Sequence, residues 1–261
     1  MKALTLVKIG GQVLDDMAAF SEFVSLFAQL PGEKLLVHGG GTSVSQMAVK
    51  MGIEPQLIDG RRVTDAASLK LATMVYAGYL NKNLVAGLQA HHCDALGLSG
   101  ADANILQTQK RPTKPVDFGW VGDLTPNSVG INRLEQFLEM GLCPVISAIT
   151  HNGQGQLLNT NADDIAAALA IALSQSYAVS LIYCLEKKGV LSDLNDEDSV
   201  IPAVYWAAKP QLLARGVLSK GMIPKLDSAW AASKQGVCSV NIKNSGDLLN
   251  PDSGTFIHYY S

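Results

Sequence analysis

The sequence predicts an α/β fold with a mostly parallel central sheet. Short apolar runs of strand length alternate with longer stretches of helical periodicity, which is the pattern of parallel strands joined by crossover helices. Apolar residues make up 48% of the 261 residues and charged residues 16%, a balance typical of a compact protein with many buried strands. Glycines stand where predicted helices stop, and Gly141 and Gly236 each precede a predicted strand.

The apolar runs and the helical periodicity together predict the strands and helices along the chain. The predicted strands are residues 5–9, 34–38, 95–98, 144–147, 178–184 and 239–242. The predicted helices are residues 20–30, 43–51, 66–91, 131–140, 163–173 and 223–234. Between residues 104 and 123 the pattern weakens and includes Pro112, Pro115 and Gly119, which predicts a β-hairpin or lid over the sheet. No internal repeat or low-complexity linker stands out, so residues 1–261 are predicted to form a single domain whose lobes share one sheet.

Charge and cysteine usage exclude several classes of protein. The formal net charge is −3 and no Lys/Arg-rich run is present, so nucleic acid is excluded as a partner. The four cysteines are far apart and form no CxxC pair, which argues against a disulfide framework or a zinc site and favours a reducing cytoplasm. The longest apolar stretch, residues 165–173, is about half the length that a bilayer requires, so no membrane partner is expected. Lys8 interrupts the first apolar run too early for a signal peptide.

Two glycine-rich turns follow predicted strands. Gly10 and Gly11 come after the first strand, and the triplet of residues 39–41 comes after the second. Without Cβ atoms, such turns let backbone N–H groups approach an anion closely, and a following helix adds partial positive charge. Neither turn matches the Walker or the dinucleotide fingerprint. The turns predict a highly charged ligand; the alternative is that the glycines only permit tight turns.

Two lysines stand where a cation is unfavourable without an anion beside it. Lys8 lies in an apolar strand near its carboxyl end, where its charge loses water unless a phosphate or carboxylate compensates it. Lys225 lies near the start of an apolar helix, against the helix dipole. The alternatives are an edge-strand lysine that reaches water and a solvated first-turn lysine.

Polar residues around the predicted 163–173 helix complete the candidate site. Asn161 is expected to cap this helix, which places Asp163 in its first turn. Capping explains Asn161 but does not explain why another asparagine, Asn159, stands two residues before it. Arg62 is predicted to hold a carboxylate with two hydrogen bonds, and its neighbour Arg61 is interpreted as a surface charge.

Eight short segments occur in a specific order along the chain: Val-Lys-Ile-Gly-Gly at 7–11, His-Gly-Gly-Gly at 38–41, Arg-Val-Thr-Asp at 62–65, Asn-Lys at 81–82, Gly-Leu-Ser-Gly at 97–100, Val-Gly-Asp at 121–123, Asn-Thr-Asn-Ala-Asp at 159–163 and Gly-Met-Ile-Pro-Lys at 221–225. Together they resemble the amino acid kinase family, and within it the N-acetyl-L-glutamate kinases, over essentially the whole chain. The resemblance implies an open αβα sandwich, with an acyl-amino-acid-binding lobe at residues 1–174 and an ATP-binding lobe at 175–261.

The resemblance also implies a reaction and a set of site residues. The reaction is ATP-dependent phosphorylation of the γ-carboxylate of N-acetyl-L-glutamate, a step of arginine biosynthesis. Lys8 and Lys225 resemble the lysines that neutralise the transferring phosphoryl group, and Asp163 resembles the acid that orients them. The residues that resemble the substrate-binding set are Gly40, Gly41, Arg62, Asn159 and Asn161. The residues assigned to phosphate and ATP are Gly10, Gly11, Glu186, Gly189, Lys220, Gly221 and Met222. The expected cofactors are ATP and Mg²⁺, and the metal is expected to be held mainly by the ATP phosphates.

Several alternatives stay open at this point. The segment 185–190 departs from the family's usual nucleotide-lobe pattern, and members with a related segment belong to bacteria that use succinylated intermediates, so an N-succinyl-L-glutamate kinase is the first alternative. Carbamate, aspartate, glutamate and uridylate kinases share the glycine loops and Lys8, but the segments 62–65 and 159–163 favour an acylglutamate. A catalytically inactive ligand sensor is the last alternative, which the intact Lys8, Asp163 and Lys225 disfavour.

The chain begins directly at the first predicted strand. Arginine-inhibited, hexameric relatives carry an extra helix before that strand. The resemblance therefore implies a homodimer that arginine does not inhibit.

Overall fold

A computed structural model describes residues 1–58, 60–218 and 221–260. Within these residues the strands are, in chain order, β1 (Lys2–Ile9), β2 (Glu33–His38), β3 (Leu57–Ile58), β4 (Arg61–Arg62), β5 (Ala95–Leu98), β6 (Gln109–Lys110), β7 (Gly122–Asp123), β8 (Cys143–Ser147), β9 (Ile149–His151), β10 (Leu157–Asn159), β11 (Tyr177–Leu185), β12 (Ala203–Tyr205), β13 (Ser239–Asn244) and β14 (Thr255–His258).

The described α-helices are α1 (Gly11–Asp15), α2 (Met17–Gln29), α3 (Gly41–Lys50), α4 (Ala66–Thr73), α5 (Asn81–Ala90), α6 (Ile131–Glu139), α7 (Ala162–Leu173), α8 (Lys209–Ala214) and α9 (Ile223–Lys234). A π-helix at Met74–Leu80 joins α4 to α5. Short 3₁₀ turns lie at Asp102–Asn104, Trp206–Ala208 and Ser245–Asp247. Among these described helices, none is long and apolar enough to cross a membrane.

The main sheet has eight strands in the order β12-β14-β13-β11-β1-β2-β8-β5. Every neighbouring pair is parallel except β13 and β14, which run antiparallel. This confirms the predicted α/β class with a mostly parallel sheet, and all six predicted strands lie in it. The strands that precede α7 fill one half of the sheet and those that follow α7 fill the other, so the halves meet where β1 pairs with β11.

Both faces of the sheet are buried. Successive residues of a strand point to opposite faces, and Leu6 and Val7 of β1 accordingly pack into separate apolar clusters. One cluster includes Leu169 of α7 and Trp230 of α9. The other includes Phe23 of α2. The result is the expected αβα sandwich, in which helices exclude water from both sides of the parallel strands.

The predicted 66–91 helix is interrupted. The structure divides it into α4, the π-helix at Met74–Leu80 and α5. A π-helix closes hydrogen bonds one residue later than an α-helix, so it turns the following side chains to a new direction. Apolar periodicity does not report this local change, because the residues on both sides still bury an apolar face.

The predicted hairpin between residues 104 and 123 is present. Strands β6 and β7 pair antiparallel, with Gln109 opposite Asp123 and Lys110 opposite Gly122. Arg111 donates to both carboxylate oxygens of Asp123, with its Nε 2.9 Å from Oδ1 and 3.2 Å from Oδ2. The hairpin prediction is confirmed, and its action as a lid stays a prediction.

Candidate active site

A cavity of about 350 Å³ opens at the carboxyl ends of β1 and β2. These strands pair in parallel register, with Ile9 opposite His38, so the two glycine-rich turns that follow them lie side by side. In an open parallel sheet this edge is where ligands bind. Gly10, Gly11 and the 39–41 loop, defined as residues 39–41, form one wall of the cavity.

Lys8, Asp163 and Lys225 meet at the floor of this cavity. The Lys8 Nζ atom lies 2.6 Å from Asp163 Oδ1, and the Lys225 Nζ atom lies 2.8 Å from Asp163 Oδ2. Lys8 is 4% exposed and Asp163 is 5% exposed. Because one carboxylate faces two ammonium groups, one positive charge of this cluster remains for an anionic ligand.

Local structure fixes the position of the carboxylate. Asn161 caps α7, and its side-chain oxygen accepts from the backbone N–H of Asp163 at 2.7 Å and of Asp164 at 3.1 Å. The cap starts the helix at the residue that places Asp163 toward β1. Lys225 follows Pro224 in the first turn of α9, where proline is well tolerated.

The environment of the cluster changes the pKa values of its members. Burial acts to raise the pKa of Asp163, but the charges of Lys8 and Lys225 outweigh burial and bring it to about 2. Burial lowers the pKa of Lys8 below its usual value, and the Asp163 carboxylate opposes that change. A phosphoryl group beside Lys8 would further stabilise its charged form, so the cluster favours an incoming anion.

Further polar groups also line the cavity. Arg62 of β4 donates through Nη2 to the Gly41 carbonyl at 2.9 Å and to Ser45 Oγ at 2.6 Å. Asn159 of β10 donates through Nδ2 to Thr64 Oγ1 at 3.0 Å. These contacts hold an arginine and an amide in the wall of the same cavity as the lysine cluster.

Known proteins are similar to this chain over nearly its whole length. The model of the amino acid kinase family matches residues 3–244. The chain belongs to the amino acid kinase family. It is 49% identical to the acetylglutamate kinase of Bacteroides thetaiotaomicron over 254 residues, covering 97% of this chain and 98% of that protein. It is 46% identical to the acetylglutamate kinase of Bacteroides fragilis over 254 residues, covering 97% of this chain and 96% of that protein.

A solved structure extends the comparison to the fold. The N-acetylglutamate synthase from Neisseria gonorrhoeae complexed with coenzyme A and N-acetyl-glutamate superposes with a TM-score of 0.82. The match covers 99% of this chain and 60% of that chain at 22% sequence identity. This similarity shows that the two proteins share the fold.

Most of the residues predicted from the sequence line the cavity of this amino acid kinase. They are Lys8, Gly10, Gly11, Gly40, Gly41, Arg62, Asn159, Asn161, Asp163, Glu186 and Lys225. They come from separate parts of the chain and converge because the ends of β1, β2 and β10 and the starts of α7 and α9 lie at one edge of the fold. Their individual roles in binding and catalysis stay predictions.

Other predicted residues lie elsewhere. The residues described around the cavity do not include Gly189, Gly221 or Met222. Gly189 packs against β14, where an added Cβ would come 2.6 Å from Thr255 Oγ1. Met222 lies at the N-cap position of α9 and packs against the core. Their assignment to ATP stays a prediction, and Lys220 lies outside the described residues.

Three charged or aromatic residues of the cavity were missed or interpreted differently. Arg61, interpreted as a surface charge, lines the cavity, as do Tyr76 and Arg111. Burial raises the pKa of Tyr76, and the neighbouring Arg62 charge opposes the change. Tyr76 lies in the π-helix, which no sequence signal indicated. Arg111 reaches the cavity from the hairpin, where its side chain forms an ion pair with Asp123, the acid of the Val-Gly-Asp segment.

Proposed function

We propose that this chain transfers the γ-phosphoryl group of ATP to the γ-carboxylate of N-acetyl-L-glutamate and so forms N-acetyl-L-glutamyl 5-phosphate, a step of arginine biosynthesis. The Lys8–Asp163–Lys225 cluster beside two glycine turns, in which Lys8 and Asp163 are buried, is the observation that carries the proposal. Relatives named acetylglutamate kinase at 46% and 49% identity over nearly the full chain support it. They do not favour a succinylglutamate kinase or an inactive sensor.

The chemistry needs positive charge more than it needs a base. A carboxylate is ionised at neutral pH and is a competent nucleophile without proton removal. Its oxygen attacks the γ-phosphorus, a new P–O bond forms, and the bond to the ADP oxygen breaks with ADP as the leaving group. Two anions must approach, so catalysis consists of alignment and charge stabilisation. In this proposal Lys8 serves the acceptor side, Lys225 the ADP side, and Asp163 keeps both in place.

The rest of the cavity suits the acceptor. Arg62 and Asn159 would hold the α-carboxylate and the acylamino group, which lie several bonds from the reacting carboxylate. Backbone N–H groups of Gly40 and Gly41 would face the γ-carboxylate, and those of Gly10 and Gly11 the phosphoryl group. Residues 1–174 would then bind the acylated amino acid and residues 175–261 would bind ATP.

In this proposal Mg²⁺ would be bound by the nucleotide. Among the described residues, no three His, Cys, Asp or Glu side chains converge in a way that could hold a metal ion. Mg²⁺ commonly keeps several waters and binds through substrate phosphates, so the site fits a metal carried by ATP. Bound there, Mg²⁺ would neutralise phosphate charge.

The proposal extends to compartment and assembly. A cytoplasmic location fits the four free cysteines, three of which are buried. A homodimer is proposed from the resemblance alone. Sedimentation equilibrium that returns the mass of two 27.7 kDa chains would support it.

The proposed reaction is tested by trapping its product. Acyl phosphates react with hydroxylamine to give hydroxamates, which form coloured complexes with ferric iron. N-acetyl-L-glutamate, N-succinyl-L-glutamate and L-glutamate are therefore compared at equal concentration with ATP and Mg²⁺. We expect hydroxamate with N-acetyl-L-glutamate, loss of it in Lys8→Met, and wild-type yield in the control Lys2→Met, which removes an exposed lysine from the same strand. Absence of hydroxamate with all three acceptors would refute the proposed function.

A further inference from the structure

The three carbonyl groups of the 39–41 loop are each held by a different partner. The Gly39 carbonyl oxygen lies 2.9 Å from His38 Nδ1. The Gly40 oxygen accepts from the Val44 N–H at 3.0 Å, and the Gly41 oxygen accepts from Arg62. In a planar trans peptide the N–H points opposite to the preceding carbonyl. Each held carbonyl therefore sets the direction of the next N–H along the loop.

The first of these contacts depends on which nitrogen of His38 carries the proton. The ring is fully buried at the end of β2, and its Nε2 lies 3.1 Å from Asn81 Nδ2. That amide nitrogen also donates to the Val145 carbonyl at 2.9 Å, so it is the NH₂ group and not the oxygen that faces the ring. His38 Nε2 must then accept, and the proton must lie on Nδ1, where it donates to the Gly39 carbonyl.

A second contact fixes the same amide. Lys82 Nζ donates to Asn81 Oδ1 at 3.0 Å and to the Gly97 carbonyl at 3.1 Å. Gly97 leaves room for this arrangement, because an added Cβ would come 2.2 Å from Asn81 Oδ1. The amide orientation is thus determined from both ends.

The ring stays neutral in this environment. Burial lowers the pKa of His38 to about 4, the Gly39 carbonyl opposes that change, and the charges of Lys82 and Lys8 add to it. A neutral ring has only one N–H, so its two hydrogen-bond roles cannot be exchanged without losing both contacts.

We propose that His38 and Asn81 are positioning residues of this site: Asn81 holds the His38 proton on Nδ1, and that N–H turns the Gly39 carbonyl away from the cavity and aims the Gly40 N–H at the carboxylate of the substrate. The inference rests on the proposed function, because the carboxylate is that of the acyl amino acid. It gives a role to the Asn-Lys and Gly-Leu-Ser-Gly segments, whose residues are not among those described around the cavity.

The kinetic test compares two substitutions of His38. His38→Leu removes the donor, and His38→Asn keeps a side-chain N–H near the position of Nδ1. Loss of an aligned hydrogen-bond donor costs about 100-fold or more in kcat in other active sites. In His38→Leu the Gly40 donor remains but is misaligned toward the bound carboxylate, so we expect a smaller effect that acts on binding, a rise of about 10-fold in KM for N-acetyl-L-glutamate. KM for ATP should change less than about twofold, and His38→Asn should restore most of the loss.

The control variant is Ser147→Ala, at the position beside His38 on the neighbouring strand β8. Ser147 lies opposite His38 in the β2–β8 register, is fully buried, and its hydroxyl makes no hydrogen bond among the described residues. We expect unchanged KM values in this variant. A His38→Leu enzyme with wild-type KM for both substrates would overturn the proposal. A fall in kcat with unchanged KM values would also overturn the proposal, because that result is expected when a smaller fraction of the enzyme is folded.

Nuclear magnetic resonance tests the proton position without activity. In ¹⁵N-labelled wild-type protein at neutral pH, the ring signal that disappears in His38→Asn identifies His38 among the five histidines. We expect a protonated Nδ1 and a bare Nε2. A proton on Nε2 overturns the inference even if the enzyme is active, whereas an inactive wild type with the expected tautomer would contradict the proposed function and not this geometry.

Discussion

Asp163 is the residue on which the two lysines depend. It faces Lys8 and Lys225 at once, and both it and Lys8 are almost completely buried. Removal of one partner from a buried ion pair leaves an uncompensated charge, which costs about 3–5 kcal/mol. We expect Asp163→Asn to lower kcat by at least about 100-fold and the free energy of unfolding by about 3 kcal/mol.

Urea unfolding and steady-state kinetics measure both effects. The matched control is Asp164→Asn, one residue along α7, where an amide oxygen can still accept from Ser228 as the carboxylate does. We expect near-wild-type kcat in the control. An Asp163→Asn enzyme as active as the control would remove this carboxylate from the mechanism.

His38 gives the protein a pH-dependent stability. Its pKa is about 4 in the folded chain against a usual 6.5. Between these values the unfolded chain binds a proton that the folded chain does not, so stability is lost as pH falls through this window and is retained above it. We expect wild type to lose about 3 kcal/mol more than His38→Asn between pH 7 and pH 4. Urea unfolding across that range measures the difference, and equal losses in the two proteins would show that the ring is not held neutral.

At the scale of elements, the 39–41 loop has a backbone conformation that favours glycine at position 40. Gly40 has a φ of +143°, and an added Cβ would come 2.2 Å from Leu80 Cδ1. Strain and overpacking each cost roughly 1–3 kcal/mol, so we expect Gly40→Ala to reduce the free energy of unfolding by about 3 kcal/mol and to raise KM for N-acetyl-L-glutamate.

Thermal unfolding with kinetics on the surviving folded enzyme checks this prediction. The control is Gly78→Ala in the π-helix, where an added Cβ meets no atom within 4 Å. We expect the control to keep its activity and its stability. If Gly40→Ala behaved like Gly78→Ala, the loop would not need its observed conformation.

Sequence periodicity predicted six strands of the main sheet but not β12 and β14, which lie together at one end of it. Most of the predicted strands are rich in buried apolar residues, which makes them visible as continuous runs. Strands β12 and β14 have three and four residues and lie at or near the edge, where partial exposure removes that signal. Helix α1 has five residues, too few to repeat an apolar face.

The site was predictable to the extent that its residues conflict with their local surroundings. Lys8 in a buried strand and Lys225 at a helix start are unfavourable without a partner, and the resemblance named Asp163 as that partner. Tyr76 and Arg111 fit their own segments well, so only the tertiary fold brings them to the cavity. The His38–Asn81 contact was hidden for the same reason, since the two residues lie on different elements.

At the scale of the whole molecule, the site lies where the two halves of the sheet meet. Lys8 comes from β1 at that seam, Asp163 from the helix that links the halves, and Lys225 from α9 in the second half. An acceptor bound to one half and a nucleotide bound to the other would then meet at the lysine cluster. Such binding would let two substrates with like charge be held by separate surfaces until their reacting atoms are aligned.

A crystal structure with ADP, Mg²⁺, N-acetyl-L-glutamate and tetrafluoroaluminate tests this account most directly, because the planar fluoride group stands in for the phosphoryl group in transfer. The account predicts that the fluoride group lies between the Nζ atoms of Lys8 and Lys225, with the γ-carboxylate against the 39–41 loop and the α-carboxylate against Arg62. A fluoride group remote from both lysines, or N-acetyl-L-glutamate bound outside this cavity, would contradict it.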